Sequence, residues 1–226
     1  MKKFLFAALL FGLVGTISVD AQRMSLNELK DQKEVNDYKR KKLVDVKVSK
    51  QAKKQAKDLK KQGWLTAGSQ PLEVQIDRER LMREDKDQQT GEPFYFFGSS
   101  NSTGENYDAA KMQAQELAKM QIANQLGSEI SALVENKVGN KQLSAGQAAS
   151  ITQTVTECKS IINKKLGRTD IVLEYYRELS NGNKEVHIEV AYSRQEAMEI
   201  TKNTIREQLE AKGDELGSQL DQLLGW

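Results

Sequence analysis

Four glutamates surround a single histidine within sixteen residues of chain. Glu174, Glu178, Glu185 and Glu189 bracket His187, the only histidine of the 226 residues. Carboxylates held in pairs do acid–base chemistry when one of them sits in a dry cleft, and oxygens gathered by a wrapping loop take calcium. The elements that carry these residues decide what is open to them. Ile171, Leu173, Tyr175 and Leu179 alternate with polar residues, as do Val186, Ile188, Val190 and Tyr192, so two strands are predicted with Asn181-Gly182 between them. A two-residue type I′ turn there sets Ser180 opposite Asn183. Leu173, Tyr175, Ile188 and Val190 then share the core side. The other side places Glu178 opposite Glu185, Glu174 opposite Glu189, and Tyr176 opposite His187. Like charges in that position cost about a few tenths of a kcal/mol per pair. Either these carboxylates point into water, or a cationic surface from the basic arm or a partner covers them. Flat strands do not wrap calcium, and an open sheet face offers no dry cleft.

The rest of the chain carries little that could react. Cys158, the only cysteine, falls on a helical apolar stripe, which predicts a small core residue and not a nucleophile. A serine or cysteine nucleophile needs a histidine beside it, and zinc sites need clusters of these residue types. Gly98 to Gly104 reads as a glycine-rich loop before a helix, without the lysine ending or glycine spacing of a nucleotide site. No catalytic residue, metal or cofactor is expected.

Charge is distributed unevenly. Residues 23–62 hold 14 Lys/Arg against six Asp/Glu, a net +8, whereas 63–226 hold 18 against 25, a net −7. Lys53, Lys54, Lys57, Lys60 and Lys61 crowd the end of the basic arm, with Ala52, Ala56 and Leu59 at helical spacing between them. Such a helix suits an anionic surface or simple solvation. No aromatic residues interleave with the lysines to stack on bases, which argues against nucleic acid. Ahead of the arm, Lys2-Lys3, an apolar run from Phe4 to Ile17 and Val19-Asp20-Ala21 have the pattern of a secretory signal peptide over 1–21. The run is about 14 residues, short of the ~20 that span a bilayer. Gln22 stands where a lipoprotein has cysteine, so no lipid anchor is expected.

The elements follow from periodicity. Ala110, Ala114, Ala118, Ile122, Leu126, Ile130, Val134 and Val138 repeat every four residues, which predicts one helix over 106–138, on the order of 50 Å long. Ser144 and Gln147 have capping-box spacing ahead of a second helix with Ala148, Ile151, Val155, Cys158 and Ile162 inward. Ser193 and Glu196 open a C-terminal helix to about Leu224, with Gly213 and Gly217 weakening it and Trp226 as a candidate anchor. Pro71 suits the start of a short helix from Leu72 to about Glu84. Phe94 to Phe97 reads as a buried strand stopped by Gly98.

Strand, long helix, second helix, hairpin, helix is an order that resembles the LPP-twenty family of bacterial outer-membrane lipoproteins and is similar to the N-terminal domain of the flagellar assembly protein FlgT. Phe96-Phe97-Gly98, Asp108-Ala109-Ala110 through Ala114, Ala118 and Leu126, and the hairpin Ile171–Tyr175 with Val186–Tyr192 carry the likeness, over roughly 94–200. It implies a small α+β domain serving envelope assembly or interaction, with no catalytic residues to transfer. The missing lipidated cysteine and the basic arm depart from that pattern.

The expected organisation is therefore a signal peptide (1–21), a basic helical arm (22–62), a linker and short helix (63–92), and an α+β domain (93–226) with a three-stranded, largely antiparallel sheet packed by long helices. The expected function is that of an exported, non-enzymatic interaction or scaffold protein of the cell envelope, periplasmic or envelope-associated. Its partner would be an envelope protein or an anionic envelope surface, met through the arm or through the Phe94–Phe97 strand if that strand lies at an edge. The C-terminal helix offers a route to a homo-oligomer. The alternative is an enzyme acting on envelope glycan through the acidic hairpin face.

Overall fold

The computed structural model describes residues 48–140, 142–213 and 215–224; the expected signal peptide, the first half of the basic arm and Trp226 lie outside them. Residues 48 onward form one compact unit. Its elements, in order, are α1 (Lys50–Lys61), β1 (Leu65–Thr66), α2 (Leu72–Glu84), β2 (Tyr95–Gly104), α3 (Tyr107–Gly139), α4 (Ala145–Lys165), β3 (Asp170–Glu178), β4 (Lys184–Ser193), α5 (Arg194–Ala211) and α6 (Leu216–Leu224). The fold class is α+β.

α3 is the 33-residue helix that the four-residue repeat predicts, and Asn106 caps it by accepting the Ala109 N–H at 2.9 Å. Ala110, Ala114, Ala118, Ile122, Leu126, Ile130 and Val134 are all buried. The alanines face the sheet, where Ala110, Ala114 and Ala118 pack with Phe96, Val186, Ile188 and Val190. The larger residues Ile130 and Val134 pack further along among Ile151, Val155, Ile205, Leu209 and Leu220 of α4, α5 and α6. Close approach is what the small residues provide. A Cβ on Gly98 would lie 2.0 Å from the Ala118 carbonyl oxygen, so only glycine lets the strand pass beneath the helix there.

The sheet has four strands, in the order β1-β3-β4-β2, all antiparallel, one more than expected. The fourth is Leu65-Thr66, too short to show a period. It is held by the buried Trp64, whose ring meets Tyr175 edge-on at 4.8 Å, and by the Ala67 N–H donating to the Glu174 carbonyl. β2 also runs through Gly98–Gly104, which read as a loop. Its backbone pairs with β4 from Tyr95↔Ser193 to Gly104↔Lys184, and small side chains there are what the overlying α3 requires.

The hairpin differs from expectation by one residue. The Leu179 N–H donates to the Asn183 carbonyl at 2.8 Å and the Gly182 N–H to the Leu179 carbonyl at 2.9 Å. Gly182 has φ +84°, so Ser180–Gly182 is a three-residue loop closed by a glycine bulge, not a two-residue turn. A one-residue slip sends every side chain of one strand to the other face. Tyr175 therefore pairs with His187, Glu174 with Ile188 and Arg177 with Glu185, and a second irregularity at Val172 brings Ile171 opposite Val190.

Helices cover both faces. α3, α4 and the start of α5 share a core with Val186, Ile188 and Val190, and α6 packs with α3, α4 and α5 in a second cluster. α2, backed by α1, lies on the face of Leu173 and Tyr175, with Ala52, Ala56, Leu72 and Ile76 between them. The reciprocal capping box of Ser144 and Gln147 is present, and Cys158 is fully buried. The single C-terminal helix of expectation is two, because Gly213 adopts φ +71° and ends α5. The apolar Leu216, Leu220 and Leu224 of α6 are buried within the chain.

Candidate functional site

α1 displays the basic residues on a rigid seat. Ala52 and Ala56 face α2, and the Ser49 hydroxyl both accepts the Ala52 N–H and donates to Asp77 at 2.7 Å. Burial alone would raise the Asp77 carboxyl, but hydrogen bonds from Ser49 and Arg80 hold it below its ordinary value. At 100° per residue, Lys50, Lys54, Lys57 and Lys61 then form a line opposite the alanines, about 16 Å long, with Lys53 and Lys60 flanking it. All six are exposed. Lys60 lies 3.4 Å from Glu73 and Lys61 3.5 Å from Asp58, surface pairs of little energetic weight. Lys50, Lys53, Lys54 and Lys57 have no ion-pair partner among the described residues.

The acidic face of the hairpin is not one surface. Glu174 and Glu189, expected opposite each other, stand on opposite faces of the sheet, and both are buried. Glu174 accepts from the Tyr107 hydroxyl and from Lys111 Nζ at 2.7 Å, both from the first turns of α3. Burial first, then the Glu174 carboxylate, pushes the Tyr107 hydroxyl up. Glu189 accepts from Arg83 of α2, and its carboxyl is pushed up to about 7 by burial and by the neighbouring Glu79. The two like-charge pairs are absent: Arg177 bonds Glu185 at 2.7 Å, and Lys184 bonds Glu178.

His187 stacks on Tyr175 at 4.4 Å and its Nδ1 meets the Asn101 side chain. Burial lowers its pKa to about 4, against the opposing pull of Glu185, so the ring is neutral at pH 7. The cationic cover over this face is Arg83, not the arm lysines; its guanidinium also lies 4.3 Å above the Phe97 ring, while Arg177 lies 4.4 Å above Trp64. Sequence reading missed Arg83, Tyr107, Lys111, Arg177 and Lys184. The charge order Arg177-Glu178 against Lys184-Glu185 was a signal for the last two, since only the slipped register pairs opposite signs.

The remaining candidates are placed as follows. β2 is an edge strand, but the Phe97 carbonyl accepts from Gln125 at 2.7 Å and the Ser99 N–H donates to Gln121 at 3.0 Å, so α3 side chains occupy that stretch of edge. Burial pushes the Cys158 thiol up. Among the described residues no cluster of His, Cys, Asp or Glu could hold a metal ion, and no helix is long and apolar enough to cross a membrane.

Two sites thus stand out on an α+β domain, a lysine line on a docked helix and a set of internal ion pairs that tie helices to the sheet. Compared with protein-family models, curated proteins and solved structures, the chain matches none.

Proposed function

We propose that this chain is an exported, non-enzymatic interaction module of the bacterial cell envelope that binds an anionic envelope surface through α1. The carrying observation is the direction of the lysines. Lys50, Lys54, Lys57 and Lys61 face directly away from the seat of the helix, and the apolar residues that could enter a bilayer are already used against α2. Binding therefore rests on charge alone and weakens with salt. The leader-like residues 1–21 and the resemblance to the LPP-twenty family support the envelope as its location. The glycan-cleaving alternative has no comparable support, because Glu174 and Glu189 lie on opposite faces and cannot flank one bond.

The test is co-sedimentation of the full chain with phosphatidylglycerol vesicles, beside a variant with Lys53, Lys54, Lys57, Lys60 and Lys61 changed to Glu. At roughly 1 kcal/mol per lysine near an anionic surface, the variant is expected to bind at least a hundredfold more weakly, and the unchanged chain to lose binding as salt rises. Equal binding by both would overturn the proposal.

A further inference from the structure

At the end of the sheet away from the hairpin loop, β3 begins, β4 ends, β2 begins and α5 starts. Asp170 pairs with Ala191 and Tyr95 with Ser193 across these strand ends, and the Arg194 N–H donates to the Phe94 carbonyl at 2.9 Å. The frame is thus fixed by backbone bonds. Between these ends lies a cleft of about 220 Å³, lined by Met82, Tyr95, Arg168, Asp170, Tyr192 and Glu196 together with the β4 backbone.

Among the described arginines, Arg78 and Arg168 have no carboxylate in an ion pair, and Arg168 lines this cleft. Arg80, Arg83, Arg177, Arg194 and Arg206 each hold a carboxylate in an ion pair. Arg168 lines the same cleft as Asp170 and Glu196 yet pairs with neither, and none of the three has an ion-pair partner among the described residues. All three are exposed at the rim, while Met82 and Ala191 are buried beneath them. One guanidinium and two carboxylates therefore face a shared space without neutralising one another. Their complement is a molecule with one anionic and two cationic groups on a short aliphatic frame. The aliphatic part would lie on Met82 and the tyrosine rings, and the volume suits a molecule of amino-acid size.

We infer that this cleft binds a small diamino acid, with its carboxylate at Arg168 and its two amino groups at Asp170 and Glu196. Arg168 offers a carboxylate two parallel N–H donors, a geometry that favours planar anions over spherical ones. The Tyr95 hydroxyl, raised by burial and by the nearby Asp85 and Asp170 carboxylates, stays protonated and remains available as a donor. A diamino acid at the end of a peptide lacks either the free α-amino group or the free carboxylate, so the ligand inferred is the free molecule. The inference is independent of α1.

The test is titration of ¹⁵N-labelled full chain, followed by amide chemical shifts. The ligands are L-lysine, Nα-acetyl-L-lysine, L-leucine and L-glutamate. L-lysine is expected to shift Asp170, Tyr192 and Glu196 saturably, with L-leucine at least tenfold weaker and L-glutamate without effect. Saturable binding of Nα-acetyl-L-lysine as tight as that of L-lysine would assign the α-amino contact wrongly and overturn the two-amino assignment. Arg168→Gln and Glu196→Gln change exposed side chains, so the shifts elsewhere report that the fold is kept. Each is expected to weaken L-lysine at least tenfold, and Arg168→Gln to leave cadaverine, which has no carboxylate, unaffected. Absence of saturable shifts, shifts centred elsewhere, or equal affinity for L-leucine and L-lysine would sink the inference.

Discussion

His187 stacks face to face on Tyr175, with ring centroids 4.4 Å apart and planes 15° from parallel. That stack exists only in the register the hairpin adopts. One residue away, Tyr175 would face Ile188, and Glu178 would face Glu185.

Complementary charges help hold this register. Arg177 pairs with Glu185, so Arg177→Glu sets like charges opposite each other. A loss of about 0.5–1 kcal/mol is expected, largely recovered when Glu185→Arg is added. Urea unfolding of the two single variants and the double variant measures it, and a double variant no better than the sum of the singles would refute the coupling.

The stability of this face carries two opposed pH dependences. His187 is lowered from 6.5 to about 4, so the unfolded chain takes up a proton that the folded one refuses, and stability falls as pH drops from 6.5 to 4. Glu189 is raised from 4.5 to about 7, so the folded chain keeps a proton that the unfolded one releases, and stability falls as pH rises from 4.5 to 7. The two offset each other between 4.5 and 6.5. His187→Gln, left with the Glu189 dependence alone, is expected to lose stability with rising pH across 4.5–7. Glu189→Gln should become more stable with rising pH across 4–6.5. Thermal melts at half-unit pH steps decide it, and parallel profiles for all three proteins would refute both assignments.

Gly98 and Gly146 give opposite forecasts for the same substitution. Gly98→Ala drives a Cβ against the Ala118 carbonyl and is expected to cost about 1–3 kcal/mol, because backbone cannot step aside as a side chain can. Gly146, in the first turn of α4, has nothing within 4 Å, and Gly146→Ala is expected to stabilise by up to ~1 kcal/mol. Melting temperatures that move in the same direction would contradict the packing account.

Gln75 bridges three backbone groups. Its amide donates to the Ala67 carbonyl at 2.7 Å and the Gln70 carbonyl at 2.8 Å, and its oxygen accepts the Glu174 N–H at 2.8 Å. Gln75→Leu leaves these groups unpaired and is expected to cost about 2–4 kcal/mol. Hydrogen exchange should accelerate at the Glu174 amide more than at Ile188 in the sheet centre. Uniform acceleration would mean the bridge has no local role.

How much could be read from the sequence depended on the length of the signal. α3 was legible because eight apolar residues repeat at one spacing, and α4 because Ser144 and Gln147 mark its start. The hairpin was legible as an element, but Asn181-Gly182 suits both a two-residue and a three-residue loop, and one residue decides which side chains share a face. Gly98–Gly104 looked like loop because the residues that α3 demands beneath it are those that loops favour. β1 is two residues long and depends on Trp64 and Ala67, contacts that no local pattern encodes. The lysines of α1 could be read in full, whereas the cleft of Arg168, Asp170 and Glu196 joins residues that only the closed sheet brings together.

Gln75 bonds a residue 99 positions later in the chain, and Arg83 one 106 positions later. A ribosome delivers α1 and α2 long before β3 and β4 exist to receive them. Their docking must wait for nearly the whole domain, at the entropic cost of closing so long a loop. Until it occurs, Leu173, Tyr175 and the outer backbone of β3 stay uncovered, open to strand pairing with another chain. The first part of the compact unit to be made is thus the last to be secured, and the interval between the two is when the protein is most vulnerable to misassembly.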